Sequence, residues 1–237
     1  MNKNQGNYLL HKYTDMIHSE TLRSFVEDTL ENAPDYFYIN GASSSGKYHP
    51  SYGNGDGGLL RHTLAALKIA NSLFEAKGFM DFDMTDQDII YSALTLHDLS
   101  KYGWGENPTM HTGHEHPVTV HHFFPKYDSE DWLIQSVIRG IERHMGCWTT
   151  SRKSKVVLPA PETNAEKFIH LCDYLASRKF LEVVWDKTDG PVTVVEFEET
   201  ADVPVTAPLK LVEPRRTLAL DFSLLNNTGR IKLDRSF

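Results

Sequence analysis

Apolar residues recur at three- and four-residue spacing through the first 185 positions, the period of helices with one buried face. A first run carries Leu22, Phe25, Val26 and Leu30 from a start near Ser19, with Pro34 after its end. A second runs from Leu59 to about Lys77 on Leu60, Leu64, Leu67 and Leu73, with Gly78 as its stop. Thr85 to Asp88 resembles a capping box with Asp in place of Glu. The helix it opens is expected to pass Ile89, Ile90, Ala93, Leu94 and Leu96, reach Lys101 and end at Gly103. Pro117 suits the first turn of another helix. Ser129 opens a run through Leu133, Val137, Ile138 and Ile141 that closes at Gly146, and a last helix is expected from Thr163 to Trp185.

Two stretches break this rhythm. Residues 40–58 form a long polar loop rich in Ser and Gly, of a kind that is usually functional or disordered. Beyond Trp185 the pattern shortens to strand-like runs at 192–198 and 217–222, with a turn at Asn226 to Gly229 before residues 230–233. No internal repeat or heptad is visible. The expectation is a mainly α fold, a helical bundle with a small β-rich C-terminal appendage. Its parts are 1–54 (an N-terminal helix and long substrate-side loop), 55–186 (the helical core) and 187–237 (the β-rich tail, which packs as an appendage or mediates homo-oligomer assembly).

Composition narrows the class. With 237 residues the chain can bury a real core. No apolar stretch approaches the roughly 20 residues that span a bilayer, and the N-terminus lacks a signal-peptide pattern. Cys147 and Cys172 offer no disulfide framework, so a cytoplasmic location is the simpler expectation. A net charge of -8 argues against a long duplex nucleic acid partner, although a local basic groove would be invisible to it. Twelve histidines are more than packing alone accounts for.

Those histidines direct attention to His97-Asp98, adjacent at the end of an apolar run, with His62 upstream and His116, His144 and Asp173 downstream. Each is a hard or borderline metal ligand. His62 opens its helix and His144 closes its own, so ligands at helix ends could face one centre, as a metal-cored bundle requires. An aspartate can also bridge two cations, which a histidine cannot. The bland readings are a capping histidine at 62, a helix-dipole partner at 144 and a surface lysine at 101. Asp98 and Asp173 resist such readings, because a carboxylate among apolar neighbours needs a cation or hydrogen bonds.

Taken together, Gly57-Gly58-Leu59-Leu60-Arg61-His62-Thr63, His97-Asp98-Leu99-Ser100-Lys101, Gly113-His114-Glu115-His116-Pro117, Arg143-His144 and Cys172-Asp173 resemble the ordered signature of HD-domain metal-dependent phosphohydrolases over about residues 55–185. The segment Ser43 to Pro50 also resembles one found before the first histidine in some phage and prokaryotic HD-domain proteins. The resemblance implies a basic metal site of His62, His97, Asp98 and Asp173. It also implies a second ion on His116 and His144, with Asp98 bridging. His114 competes with His116 for that role, and Met145 departs from relatives that carry a second histidine there. The implied cofactors are one or two divalent ions, Mn, Fe, Co, Ni, Zn or Mg, that activate water for attack on phosphorus. Asp98 and Lys101 are the implied catalytic pair. Lys47, His49, Arg61, Ser177 and Arg178 (with Lys179) are candidate contacts to a nucleotide or short oligonucleotide. Two other functions compete: a diiron oxygenase acting on a small organic substrate, known among HD-domain relatives with the same ligand order, and a metal-bearing or degenerate non-catalytic nucleotide-sensing module.

Overall fold

The computed structural model describes residues 2–46, 49–76, 81–105, 108–181 and 183–185. Eight α-helices occur among them: α1 Lys3–Thr14, α2 Glu20–Glu31, α3 Asp35–Ile39, α4 Gly58–Glu75, α5 Met84–Leu96, α6 His116–Thr119, α7 Trp132–Arg143 and α8 Asn164–Ala176. No strand is present among the described residues, in keeping with a mainly α fold. The strand-like runs at 192–198 and 217–222 lie outside the described residues.

Helix α4 is the axis of the bundle. Leu59, Leu60, Leu64, Ala65, Ala66, Leu67 and Ala70 are all buried, so it is apolar around most of its circumference. It packs against α8 on one side and α5 on another, while α7 closes on α5. The core continues through Ile90, Leu94, Val137, Ile141, Phe168 and Ile169. Most helix starts are capped as their sequence dictates: Ser19 accepts from the Leu22 amide, Asp131 from those of Leu133 and Ile134, and Thr163 forms a reciprocal box with Glu166.

Three boundaries differ from the sequence reading. The cap of α5 is Asp83, which accepts from the Asp86 amide. That leaves the carboxylate of Asp88, only 3% exposed, to accept from the amides of His18 and Ser19 and bind the link between α1 and α2 to α5. Helix α5 ends at Leu96, with a turn carrying residues 97–102, and α8 ends at Ala176 rather than Trp185. Helix α1, absent from the sequence reading, is capped by a box between Asn2 and Gln5.

The long polar loop is a folded strap. Ala42 donates to Gly53 O, Gly57 to Ile39 O and Leu59 to Asn40 O, closing it onto the start of α4. A Cβ at Gly58 would collide with the Gly53 backbone, so only glycine lets strap and helix meet.

Candidate metal centre

Five helices bring six side chains to one buried point. His62 projects from the second turn of α4, and His97 and Asp98 from the turn that ends α5. His116 stands at the start of α6, His144 at the C-terminal cap of α7, and Asp173 in α8. Five of the six are buried, and the Asp173 side chain retains 16% exposure.

Their ligand atoms form two trios, His62 with His97 and Asp173, and Asp98 with His116 and His144. Asp98 turns one oxygen to each. Its Oδ1 lies 3.0 Å from His116 Nε2 and 3.7 Å from His144 Nε2. Its Oδ2 lies 3.6 Å from the Nε2 atoms of both His62 and His97. Asp173 Oδ1 is 2.9 Å from His62 Nε2 and 3.6 Å from His97 Nε2.

The imidazoles are oriented by the chain itself. His97 Nδ1 donates to Leu94 O, His116 Nδ1 to Gly113 O and His144 Nδ1 to Ile141 O, each at 2.7 Å and three residues back. A neutral imidazole whose Nδ1 holds the proton presents Nε2 as a bare lone pair. His116 and His144 then point two lone pairs at each other across 3.0 Å, which is repulsive until a cation intervenes. His97 Nε2 is likewise buried without a hydrogen-bond partner. This donor set fits divalent ions of the imidazole and carboxylate class.

Charge is distributed unevenly. Burial pushes the Asp98 carboxyl up, but Lys101, His97 and His116 outweigh it and hold Asp98 well below the usual carboxylate range. Asp173 is also held well below the usual carboxylate range, by His62 and His97 against its own burial. Burial, then Lys101, lowers His116, and burial with the neighbouring imidazoles lowers His144 further. At His97 the two aspartates override burial and raise the pKa.

The remaining candidates fall in three groups. Lys101 Nζ bridges both oxygens of Asp98 at 2.9 and 3.0 Å and keeps 13% side-chain exposure. His49 stands edge-on to His62 with ring centroids 5.0 Å apart, and its buried Nδ1 lacks a partner. Burial, followed by His62 and Lys101, takes its pKa down to about 3.

Arg61 is a correction. Expected to reach substrate, it is instead buried and donates Nε to Tyr52 O, Nη1 to Asp56 O and Nη2 to Asn54 O. The glycine-rich strap supplies these carbonyls, so Arg61 is its internal staple. Ser177 and Arg178 are turned to each other and away from free service: Ser177 Oγ donates to Tyr174 O and accepts from Arg178, whose guanidinium lies 4.3 Å from the Tyr174 ring centroid. Lys179 is exposed, and Lys47 lies outside the described residues. His116 joins the cluster and His114 does not, although His114 Nε2 is also buried without a partner.

The comparisons with known proteins agree with this geometry. The HD domain family matches residues 59–178, a span that contains all six cluster residues, and the chain belongs to that family. HD domain proteins are generally metal-dependent phosphohydrolases. No curated protein and no solved structure matches the chain. Among the described residues no helix is long and apolar enough to cross a membrane.

Proposed function

We propose that this protein is a divalent-metal-dependent phosphohydrolase that cleaves phosphate ester or anhydride bonds of a nucleotide or short oligonucleotide. One observation carries the reading: a single buried carboxylate, Asp98, addresses both trios while Lys101 sits on the same group. His62, His97, Asp98 and Asp173 would hold one ion, and Asp98, His116 and His144 a second. Ions held there supply Lewis acidity towards phosphoryl oxygen and lower the pKa of water.

The chain's own groups do the rest. Asp98 keeps a negative charge between two sets of imidazoles, because its depressed pKa leaves it ionised at neutral pH. Lys101 is the cation of the site, with a charged head that a phosphoryl oxygen can recruit from Asp98. His49, neutral at pH 7, offers its unpartnered Nδ1 to a substrate oxygen beside His62. Asp173 marks the solvent side, where substrate would reach the centre.

Elemental analysis of protein purified without chelator, followed by phosphate release from nucleotides and bis(p-nitrophenyl) phosphate in Mn, Co, Ni and Mg, tests this. Bound metal with metal-dependent release is the expected result. Metal-bearing protein that consumes oxygen and releases no phosphate would replace the reading with an oxygenase.

A further inference from the structure

Beside the centre lies a patch that the mechanism does not use. Between Glu142 and Glu162 the chain carries Arg143, Arg152, Lys153 and Lys155 and no Asp or Glu, in a protein of net charge -8. Arg143 is paired with Glu162. Arg152 and Lys153 are exposed on a tight turn bridged by Ser151 and Ser154, exposed Lys155 follows it directly, and none of the three has an ion-pair partner among the described residues. Like charges left unpaired within one turn repel each other and favour an anionic ligand.

An aromatic ledge stands next to this turn. Trp148, 47% exposed, stacks on Tyr174 with centroids 5.7 Å apart and planes 17° from parallel, and Arg178 covers the Tyr174 ring. His170 flanks Trp148 with centroids 5.6 Å apart.

Both features are fastened to the centre. His170 Nδ1 donates to the His144 carbonyl at 2.7 Å. A Cβ at Gly146 would overlap the His170 ring, and its φ of +63° suits glycine alone, so this approach is built into the turn after His144. Ser154 Oγ donates to Glu115, the residue before His116, and Tyr174 directly follows Asp173. The patch is therefore no more than one hydrogen bond and one residue from three of the six cluster residues.

We infer that the exposed face of Trp148, backed by Tyr174 and Arg178, stacks a nucleobase, and that Arg152, Lys153 and Lys155 hold the flanking phosphates of a single-stranded oligonucleotide. Aromatic faces interleaved with cations are what sequence-tolerant single-strand binding requires. A mononucleotide needs only the first half of this surface; an unpaired basic turn beyond it calls for further phosphates. The inference rests on the phosphohydrolase reading for its substrate class and narrows it to a strand.

The test is fluorescence polarisation of a short labelled phosphorothioate oligothymidylate, which resists hydrolysis, with the full chain as purified. Trp148→Ala should weaken binding by about 5- to 100-fold, the loss of one stacked base. Replacing Arg152, Lys153 and Lys155 together by Ala should flatten the slope of log affinity against log salt by about 2. Circular dichroism and melting temperature establish that each variant is folded. If both folded variants bind like the wild type, or if polyglutamate binds as tightly as the oligonucleotide, the platform is overturned. Hydrolysis of bis(p-nitrophenyl) phosphate by the wild type separates the two readings. Variant-sensitive binding without hydrolysis leaves the platform standing and removes the enzyme, whereas hydrolysis with unaltered binding removes the platform.

Discussion

In the trio of Asp98, His116 and His144 every side chain is buried, and both imidazoles are aimed by a carbonyl of their own turn. In the trio of His62, His97 and Asp173 the Nδ1 of His62 has no partner and the carboxylate reaches solvent. The first is closed and tightly aimed; the second is the open side, bordered by His49 and the strap. A centre of this kind keeps one face fixed and admits exchange at the other. Asp98 joins the two halves, and Lys101 competes with any ion for the same oxygens.

The comparison breaks first at Asp98. Asp98→Ala should lose metal from both halves and reduce phosphate release to background, with helical circular dichroism retained. Unchanged metal and turnover would show that the trios do not act as one centre. His116→Ala should be more selective, removing about half of the metal if each trio holds one ion. A second elemental analysis on that variant gives the answer directly.

Arg61→Ala probes the open side from outside. It leaves three strap carbonyls without their donor, a loss of roughly 1–3 kcal/mol. The melting temperature should fall by several degrees, while metal content stays near that of the wild type. A stable variant with lost metal would mean that Arg61 serves the centre and not the strap.

The smallest effect sharpens the contrast by pH. His116 and His144 lie below the usual imidazole range, so the fold favours their neutral form. The unfolded chain takes up protons first below about pH 6.5, and stability present above that pH is lost as pH falls. His97 is raised, so its contribution is present below about pH 6.5 and fades as pH rises through its folded value. In chelator-treated protein, His144→Gln should therefore flatten the acid limb of the stability curve and His97→Gln the alkaline limb. Identical profiles would contradict the assigned directions.

Much of this was legible in the chain because the cluster residues sit where periodic apolar runs start, stop or face inward. His97 and Asp98 follow Leu96, His144 follows the α7 run, and Asp173 adjoins buried Cys172. Helix α1 was not, since Lys3 to Thr14 is polar-rich and its buried stripe includes Gly6, whose missing side chain makes room for Tyr38. Helix α8 read too long because Leu181, Val184 and Trp185 prolong the apolar rhythm after Ser177 has ended the hydrogen-bond ladder. Arg61 misled for a different reason. An arginine beside a cluster histidine looks like a substrate contact, and only the folded strap reveals the carbonyls that occupy it.

The short hydrogen bonds from His97, His116 and His144 to carbonyls three residues back have an entropic consequence. Each ring is immobilised by its own turn during folding, so the cost of freezing its rotamer is met before any ion arrives. Binding then spends little free energy on ordering ligands. An ion whose preferred coordination differs from the fixed arrangement must deform helix ends to fit. Discrimination among metals would thus be written in the rigidity of three backbone turns as much as in the identity of the six side chains.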